Sequence, residues 1–435
     1  MRPAFSFAPD LCTGCEACRV ACGNENGGGR DVAWRQVTTF NPERHPALPT
    51  RHLSLACNHC EKPACALGCP ARAYRRDAAT GALLLDEGNC IGCRYCSWVC
   101  PYDAPRFDPG RGVMTKCTFC AHRLADGLAP ACAAACPTGA LGTADRTAAA
   151  SEPSFHGLGA FGLRPALAVA PPRRSTPPEG LVEEERDALP PSFPARGRKV
   201  TLSSEKGLLL FTLALPALAA WFAGGLVLPS RAPALVPFLA VAGLAFAVSA
   251  AHLGRPLRAW RAVLGVGTSW LAREVVSASA FVLLALPYVA LPHASPELGL
   301  PALAAAVATV VSIDALYLAV PRDRGPRLHG AEATTAFLLL AGIASGLAPL
   351  ATAAAALKAL LLVRRNRAGA LGMPGPAALL RLALLAGALL PIPWSAAFLL
   401  ALASEAVDRA SFYASLEPST PASRMEAEAR AARAG

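Results

Sequence analysis

The chain has 435 residues, 53% of them hydrophobic and only 16% charged, with 16 cysteines and a formal net charge of +11. So few charges exclude one ordinary soluble domain, which carries about 25%, while the length allows two or three domains. The positive balance does not point to nucleic acid, because no basic face interleaved with aromatics accompanies it.

All the cysteines lie between Cys12 and Cys136, and the remainder of the chain is largely Ala, Leu and Val. Water is implied as solvent for the first part and lipid for the second. Residues 1–145 are rich in Cys, Pro and Gly with only short apolar runs, the pattern of a loop-rich domain that needs staples. The stretch MRPAFSFAPDLC has no apolar core or cleavage pattern of a secretory signal, so metal is expected over disulfides. Residues 146–206, with PPRRSTPPEG, EEER and ARGRK, read as a linker and docking extension. Eight apolar segments come next, at 207–228, 233–251, 274–292, 298–320, 332–348, 349–363, 377–392 and 394–412. A bilayer-spanning helix needs about 20 apolar residues. The fifth to seventh segments are short or run together, which leaves seven as the alternative to eight. Residues 414–435 are expected as a polar tail.

The cysteines form four quartets with none left over. Cys12, Cys15, Cys18 and Cys22 are spaced C-x2-C-x2-C-x3-C, as are Cys90, Cys93, Cys96 and Cys100. Cys57, Cys60, Cys65 and Cys69 follow C-x2-C-x4-C-x3-C, and Cys117, Cys120, Cys132 and Cys136 follow C-x2-C-x11-C-x3-C. Three thiolates two residues apart wrap one cubane, and the fourth leaves the loop for a neighbouring cluster. A proline follows Cys69, Cys100 and Cys136, whereas Gly23 follows Cys22. Exchange between the second and third quartets predicts the sets Cys57/Cys60/Cys65/Cys100 and Cys90/Cys93/Cys96/Cys69. Exchange between the first and fourth predicts Cys12/Cys15/Cys18/Cys136 and Cys117/Cys120/Cys132/Cys22. Zinc is the rival, and the fourth quartet alone would suit it. A third cysteine at x2 spacing is awkward for one tetrahedral ion. The fold class expected is an α+β ferredoxin-like iron–sulfur domain of two bicluster units, followed by an all-α polytopic membrane bundle of about eight helices.

Read together, the four quartets resemble the iron–sulfur subunit of the dimethyl sulfoxide reductase family of molybdenum enzymes, over about residues 8–145. Relatives of the nitrate reductase type carry Trp in place of the second cysteine of the third quartet. Cys93 stands there in this chain, so the resemblance implies four [4Fe–4S] clusters.

Ionisable residues within or beside apolar spans mark candidate functional sites. His252 ends the second segment and Glu274 opens the third, so the two flank one loop. A quinol releases two protons with its electrons and needs such acceptors. Asp314, Lys358, Glu405 and Arg409 lie inside spans, where interhelical pairing or helix capping is the simpler expectation for the first three. HLGRPLRA (252–259), SWLAREV (269–275) and SEAVDRASFY (404–413) resemble the family's membrane-anchor subunit, which implies a menaquinol site at His252 and Glu274. Haem is not expected, since His293 and His329 fall in loops and a membrane haem takes two axial ligands.

Positive residues concentrate on one side of the segments. Arg196, Arg198, Lys199 and Lys206 precede the first, Arg255, Arg258, Arg261 and Arg273 follow the second, Arg322, Arg324 and Arg327 follow the fourth, and Arg364, Arg365 and Arg367 follow the sixth. The opposite connections hold only Arg231. This bias predicts a multi-pass protein of the bacterial inner membrane with its cluster domain in the cytoplasm, as in sulfite dehydrogenase-type relatives. The resemblance implies a separate molybdopterin-containing catalytic subunit, and an exchangeable quinone from the membrane pool as redox partner. A formate, nitrate or polysulfide-type partner, or a zinc scaffold without redox function, remain the alternatives.

Overall fold

The structure is a computed structural model that describes residues 2–27, 32–45, 48–149, 155–173, 200–291, 294–323, 332–367, 373 and 375–434. The chain forms two compact units, Met1–Gly197 with Pro418–Gly435, and Arg198–Glu417.

In the first unit, strands β1 (Pro3–Phe7), β8 (Leu141–Asp145) and β9 (Leu167–Val169) form a sheet with β1 central, antiparallel to β8 and parallel to β9. The register pairs Phe7 with Leu141 and Pro3 with Asp145. This pairing carries the first quartet, which follows β1, to the fourth, which precedes β8. Phe5 and Phe7 turn inward, as alternation along a strand requires. Strands β2 (Gln36–Phe40) and β3 (Arg51–Leu55) pair antiparallel, as do β4 (Tyr74–Arg76) with β5 (Leu83–Leu85) and β6 (Arg106–Asp108) with β7 (Val113–Thr115). The last two hairpins share one turn. In each, an aspartate carbonyl accepts from the backbone N–H of a glycine four residues on, Asp77 from Gly81 at 2.9 Å and Asp108 from Gly112 at 2.8 Å. Both glycines take positive φ, 70° and 62°, where a Cβ is strained. Short helices α1 (Ala17–Asn26), α2 (Ala64–Leu67), α3 (Tyr95–Trp98), α4 (Ala121–Ala125) and α5 (Ala131–Ala134) lie between the strands.

The segment 155–173 adds Phe155, Leu158 and Leu167 to the core of this unit, whereas residues 174–199, with Arg196, Arg198 and Lys199, lie outside the described residues. The C-terminal segment, expected as a polar tail, contains a helix (Pro421–Ala434) that belongs to the first unit. Thr420 starts it, its hydroxyl accepting the Ser423 backbone N–H at 3.0 Å. Met425 and Ala429, one turn apart, are buried in the same core as Phe40 and Phe155. Arg424 donates to the carbonyls of Gly157 at 2.8 Å and Pro101 at 2.9 Å.

The second unit holds α6 (Lys206–Val227), α7 (Leu235–Ala251), α8 (Trp270–Ala290), α9 (Leu300–Leu318), α10 (Glu332–Ser345), α11 (Ala348–Arg367), α12 (Gly375–Gly387) and α13 (Trp394–Ser415). Among the described residues, three stretches are long and apolar enough to cross a membrane, Lys206–Val227, Trp270–Ala290 and Pro296–Leu318. A fourth is reached if α7 and the 3-10 helix Pro256–Val263, bent by 106°, count as one. Helices α10 and α12, of 14 and 13 residues, are shorter than a bilayer-spanning helix. Close approach fixes α10 in the middle of the unit. A Cβ on Gly224 of α6 would collide with Ala344, and one on Gly342 would lie 2.6 Å from Ala351 of α11. Helix α11 runs to Arg367, so Arg365, expected in a connection, is buried and ion-paired with Asp408. His293, Arg324, Arg327 and His329 lie outside the described residues.

Candidate functional site

Each quartet opens with the same backbone loop. Two residues after the first cysteine the chain enters the left-handed region, at Gly14 (φ 72°), His59 (43°), Gly92 (72°) and Phe119 (63°). At Gly14 the space is closed as well, because a Cβ would stand 2.7 Å from the His52 ring. The loop turns backbone N–H groups onto sulfur: His59 to Cys57 at 3.4 Å, Gly92 to Cys90 at 3.4 Å and Phe119 to Cys117 at 3.3 Å. After Cys69-Pro70, Cys100-Pro101 and Cys136-Pro137 the chain turns through Arg72 (48°), Asp103 (54°) and Gly139 (69°). Cys22 has no such proline, and α1 continues past it to Asn26.

The folded loops bring cysteines of different quartets together. Cys57, Cys60, Cys65 and Cys100 line one cavity. Cys12, Cys15, Cys18 and Cys136 line a second, and Cys69, Cys90, Cys93 and Cys96 a third. The remaining four are mutual neighbours: Cys22 lies beside Cys132 and Cys120, and Cys117 beside Cys132 and Cys22. Asn26 Nδ2 bridges this last set, 3.9 Å from the Cys22 sulfur and 3.7 Å from that of Cys120. Among the described residues no group of three or more His, Cys, Asp or Glu is placed to hold a single metal ion.

These surroundings suit an iron–sulfur cluster. All sixteen thiols are free. Burial pushes the Cys65 and Cys96 thiols well up, and carries Cys22 to about 11, so their thiolates need cationic partners. The chain also offers buried donors that no protein acceptor takes: Arg35 Nε and Nη2, Asn58 Nδ2 and His59 Nε2. Asn58 itself lines the Cys57 cavity. The His59 Nδ1 accepts from Leu83 N–H at 3.0 Å, which leaves the proton on Nε2. Cluster sulfides and thiolates are acceptors of the kind these donors lack. Arg35 and Lys116 are buried cations that a motif search passes over, because each stands outside the cysteine spacing. The polar residue beside a cysteine, in Asn58-His59 and Lys116-Cys117, is the signal that was available.

In the second unit His252 caps the end of α7, and the buried Glu274 lies in the second turn of α8, whose first turn is capped by Ser269. Arg409, Asp314, Tyr317 and Tyr413 are the polar neighbours of Glu274, with Tyr317 and Tyr413 joined hydroxyl to hydroxyl. Among the described residues the Glu274 carboxylate forms no ion pair or hydrogen bond of its own. Asp314 accepts the N–H groups of Ala333 at 2.9 Å and Thr334 at 2.8 Å, capping α10. Lys358 pairs with Glu405 at 2.8 Å and Glu332 at 3.4 Å, and Arg381 with Asp408 at 2.8 Å, so these charges tie α10 to α13 together.

Cysteine-walled cavities in a ferredoxin-like unit, continuous with an apolar helical unit, define a membrane-anchored iron–sulfur electron-transfer protein. The family model of the 4Fe-4S dicluster domain matches residues 49–146, and that of the DMSO reductase anchor subunit (DmsC) matches residues 232–315. One chain of the anaerobic dimethyl sulfoxide reductase of Haemophilus influenzae is 34% identical over 193 residues, 42% of this chain and 90% of that protein. A probable anaerobic dimethyl sulfoxide reductase chain, YnfG of Escherichia coli, is 39% identical over 145 residues, 32% of this chain and 70% of its own. A subunit of the sulfite dehydrogenase of Allochromatium vinosum is 33% identical over 195 residues, 38% of this chain and 81% of that protein. The chain belongs to the dimethyl sulfoxide reductase family, as an iron–sulfur subunit joined in one polypeptide to a membrane-anchor region.

Proposed function

We propose that this chain carries electrons between a membrane quinone and a separate molybdopterin-containing catalytic subunit through four [4Fe–4S] clusters. Residues 1–145 are then the body of the cluster domain, completed by 155–173 and the helix Pro421–Ala434, and 207–413 are the anchor. The observation that carries the reading is the lining of the three cavities, each by four cysteines drawn from two quartets. The clusters would supply one-electron relay, and the protein's part is to hold, order and insulate them. Neighbouring sulfurs suggest the order. Cys18 adjoins Cys22 and Cys132, Cys117 adjoins Cys57, and Tyr74 lies between Cys65 and Cys96. The sets Cys12/Cys15/Cys18/Cys136 and Cys69/Cys90/Cys93/Cys96 are then the two ends. Relatives named for dimethyl sulfoxide, sulfite, tetrathionate and thiosulfate favour a sulfur compound as substrate of the partner.

At the membrane, Glu274 is the buried carboxylate able to take a proton from a quinol, with His252 across the same connection. The eight helices Lys206–Ser415 are read as the crossings of the anchor. The helix Pro421–Ala434 belongs to the first unit, which favours an even number of crossings over seven. The remaining basic connections favour the cytoplasm of the bacterial inner membrane for that side. Glu274→Gln in the intact complex is expected to slow quinol oxidation about 10²–10⁴-fold, the usual worth of a general base, with cluster spectra unchanged. Unaltered quinol kinetics would remove Glu274 from the site.

A further inference from the structure

Arg35 stands outside every cysteine motif, yet it occupies the junction of two of them. Its side chain is 2% exposed, and its guanidinium lies over the Phe5 ring, 4.7 Å from the centroid. Nη1 donates to the carbonyl of Ser54 at 3.3 Å and to its hydroxyl at 3.1 Å. That hydroxyl is in turn 3.2 Å from the Cys18 sulfur. Cys132, Cys117, Cys18 and Cys22 are the groups whose charge Arg35 feels most. Nε and Nη2 find no acceptor in the protein. No carboxylate pairs with it among the described residues.

A buried guanidinium presents five donors in a rigid fork, and leaving some unmatched in an apolar core is costly. Here the anionic surroundings are thiolates from two different sets, one reached through Ser54 and one directly. We propose that Arg35 is a positioning residue that bridges the Cys12/Cys15/Cys18/Cys136 and Cys22/Cys117/Cys120/Cys132 clusters and raises the reduction potential of both. The proposal rests on the four-cluster reading above. Its physics is simple: reduction adds an electron to an already anionic cluster, and a fixed, poorly screened cation nearby favours the reduced form. The effect is larger on the Cys22 set, whose Cys132 and Cys117 are the first sulfurs the guanidinium feels, whereas Cys18 is reached through the Ser54 hydroxyl. The Cys69/Cys90/Cys93/Cys96 cluster has no place in this contact and serves as an internal reference.

The test is a redox titration followed by paramagnetic resonance on membranes carrying the whole chain, with iron and sulfide counted in parallel. In Arg35→Gln the ratio of reduced to oxidised cluster at fixed potential is expected to fall about tenfold or more for the two bridged clusters, about 59 mV for one electron. The reference cluster should be unmoved. Arg35→Lys keeps the charge but not the fork, so a smaller shift in the same direction is expected. Unshifted titrations at full iron content overturn the proposal. So does loss of iron in both variants, which makes Arg35 a residue of assembly. Failure of the four-cluster reading would show separately, as an iron deficit in the unaltered protein.

Discussion

Lys358 makes the strongest test of how the helical unit is held together. It is 1% exposed, with its ammonium 2.8 Å from Glu405 and 3.4 Å from Glu332. Around it, Arg381 adjoins Asp408 at 2.8 Å and Glu332 at 3.9 Å, and Arg365 adjoins Asp408 at 3.3 Å. The three acids Glu332, Glu405 and Asp408 are thereby matched by the three bases Lys358, Arg365 and Arg381. Lys358→Met leaves this group one negative charge in excess, away from water. Removing one partner of a buried pair costs about 3–5 kcal/mol. For a unit of this size that corresponds to a fall in melting temperature of roughly 6–20 °C. The double variant Lys358→Met/Glu405→Gln restores the balance and should recover most of the loss. The assay is the retention of monodisperse detergent-solubilised complex after heating, measured for both variants. A single variant that melts with the unaltered protein, or a double variant no better than the single, would refute the claim that these charges hold the helices.

Two further outcomes concern the first unit. Cys100→Ser should abolish the cluster held by Cys57, Cys60 and Cys65, with loss of about four iron per chain, and should match the spectrum of Cys60→Ser. A match to Cys93→Ser would show instead that each quartet keeps its own fourth cysteine. Arg424→Ala should remove charge-assisted hydrogen bonds worth about 1.5–3 kcal/mol each and free the C-terminal helix, read as faster proteolysis between Glu417 and Pro421. Unchanged cleavage would mean that the helix is held by Met425 and Ala429 alone.

The local parts of this molecule were legible in its sequence, and the reason is physical. A loop wrapped around a cluster is a short-range object, so cysteine spacing and the following proline describe it almost completely. The grouping into sets could be reasoned from the fourth cysteine of each quartet, because that residue must leave its own loop. Arg35 was not legible. It lies in Trp34-Arg35-Gln36, at the start of a strand, where an arginine ordinarily faces water. Only the pairing of β1 with β8 and of β2 with β3 encloses it among sulfurs. The C-terminal helix was missed for a related reason. Met425 and Ala429 are the small buried face of a charged segment, and their partners sit nearly 400 residues earlier, at Phe40. In the helical unit the long apolar segments could be placed in advance. Helices α10 and α12 were harder to delimit, being short and flanked by similar residues. Which intramembrane charges pair, and that Arg365 joins them, depends on how α10 to α13 face one another, which apolar periodicity does not encode.

The sharing of sixteen thiolates among four cubanes is the claim on which the electron-transfer role depends. Iron and acid-labile sulfide counted on the purified chain test it most directly. About sixteen of each per chain are expected, four per cluster. About four zinc per chain with no labile sulfide would contradict it.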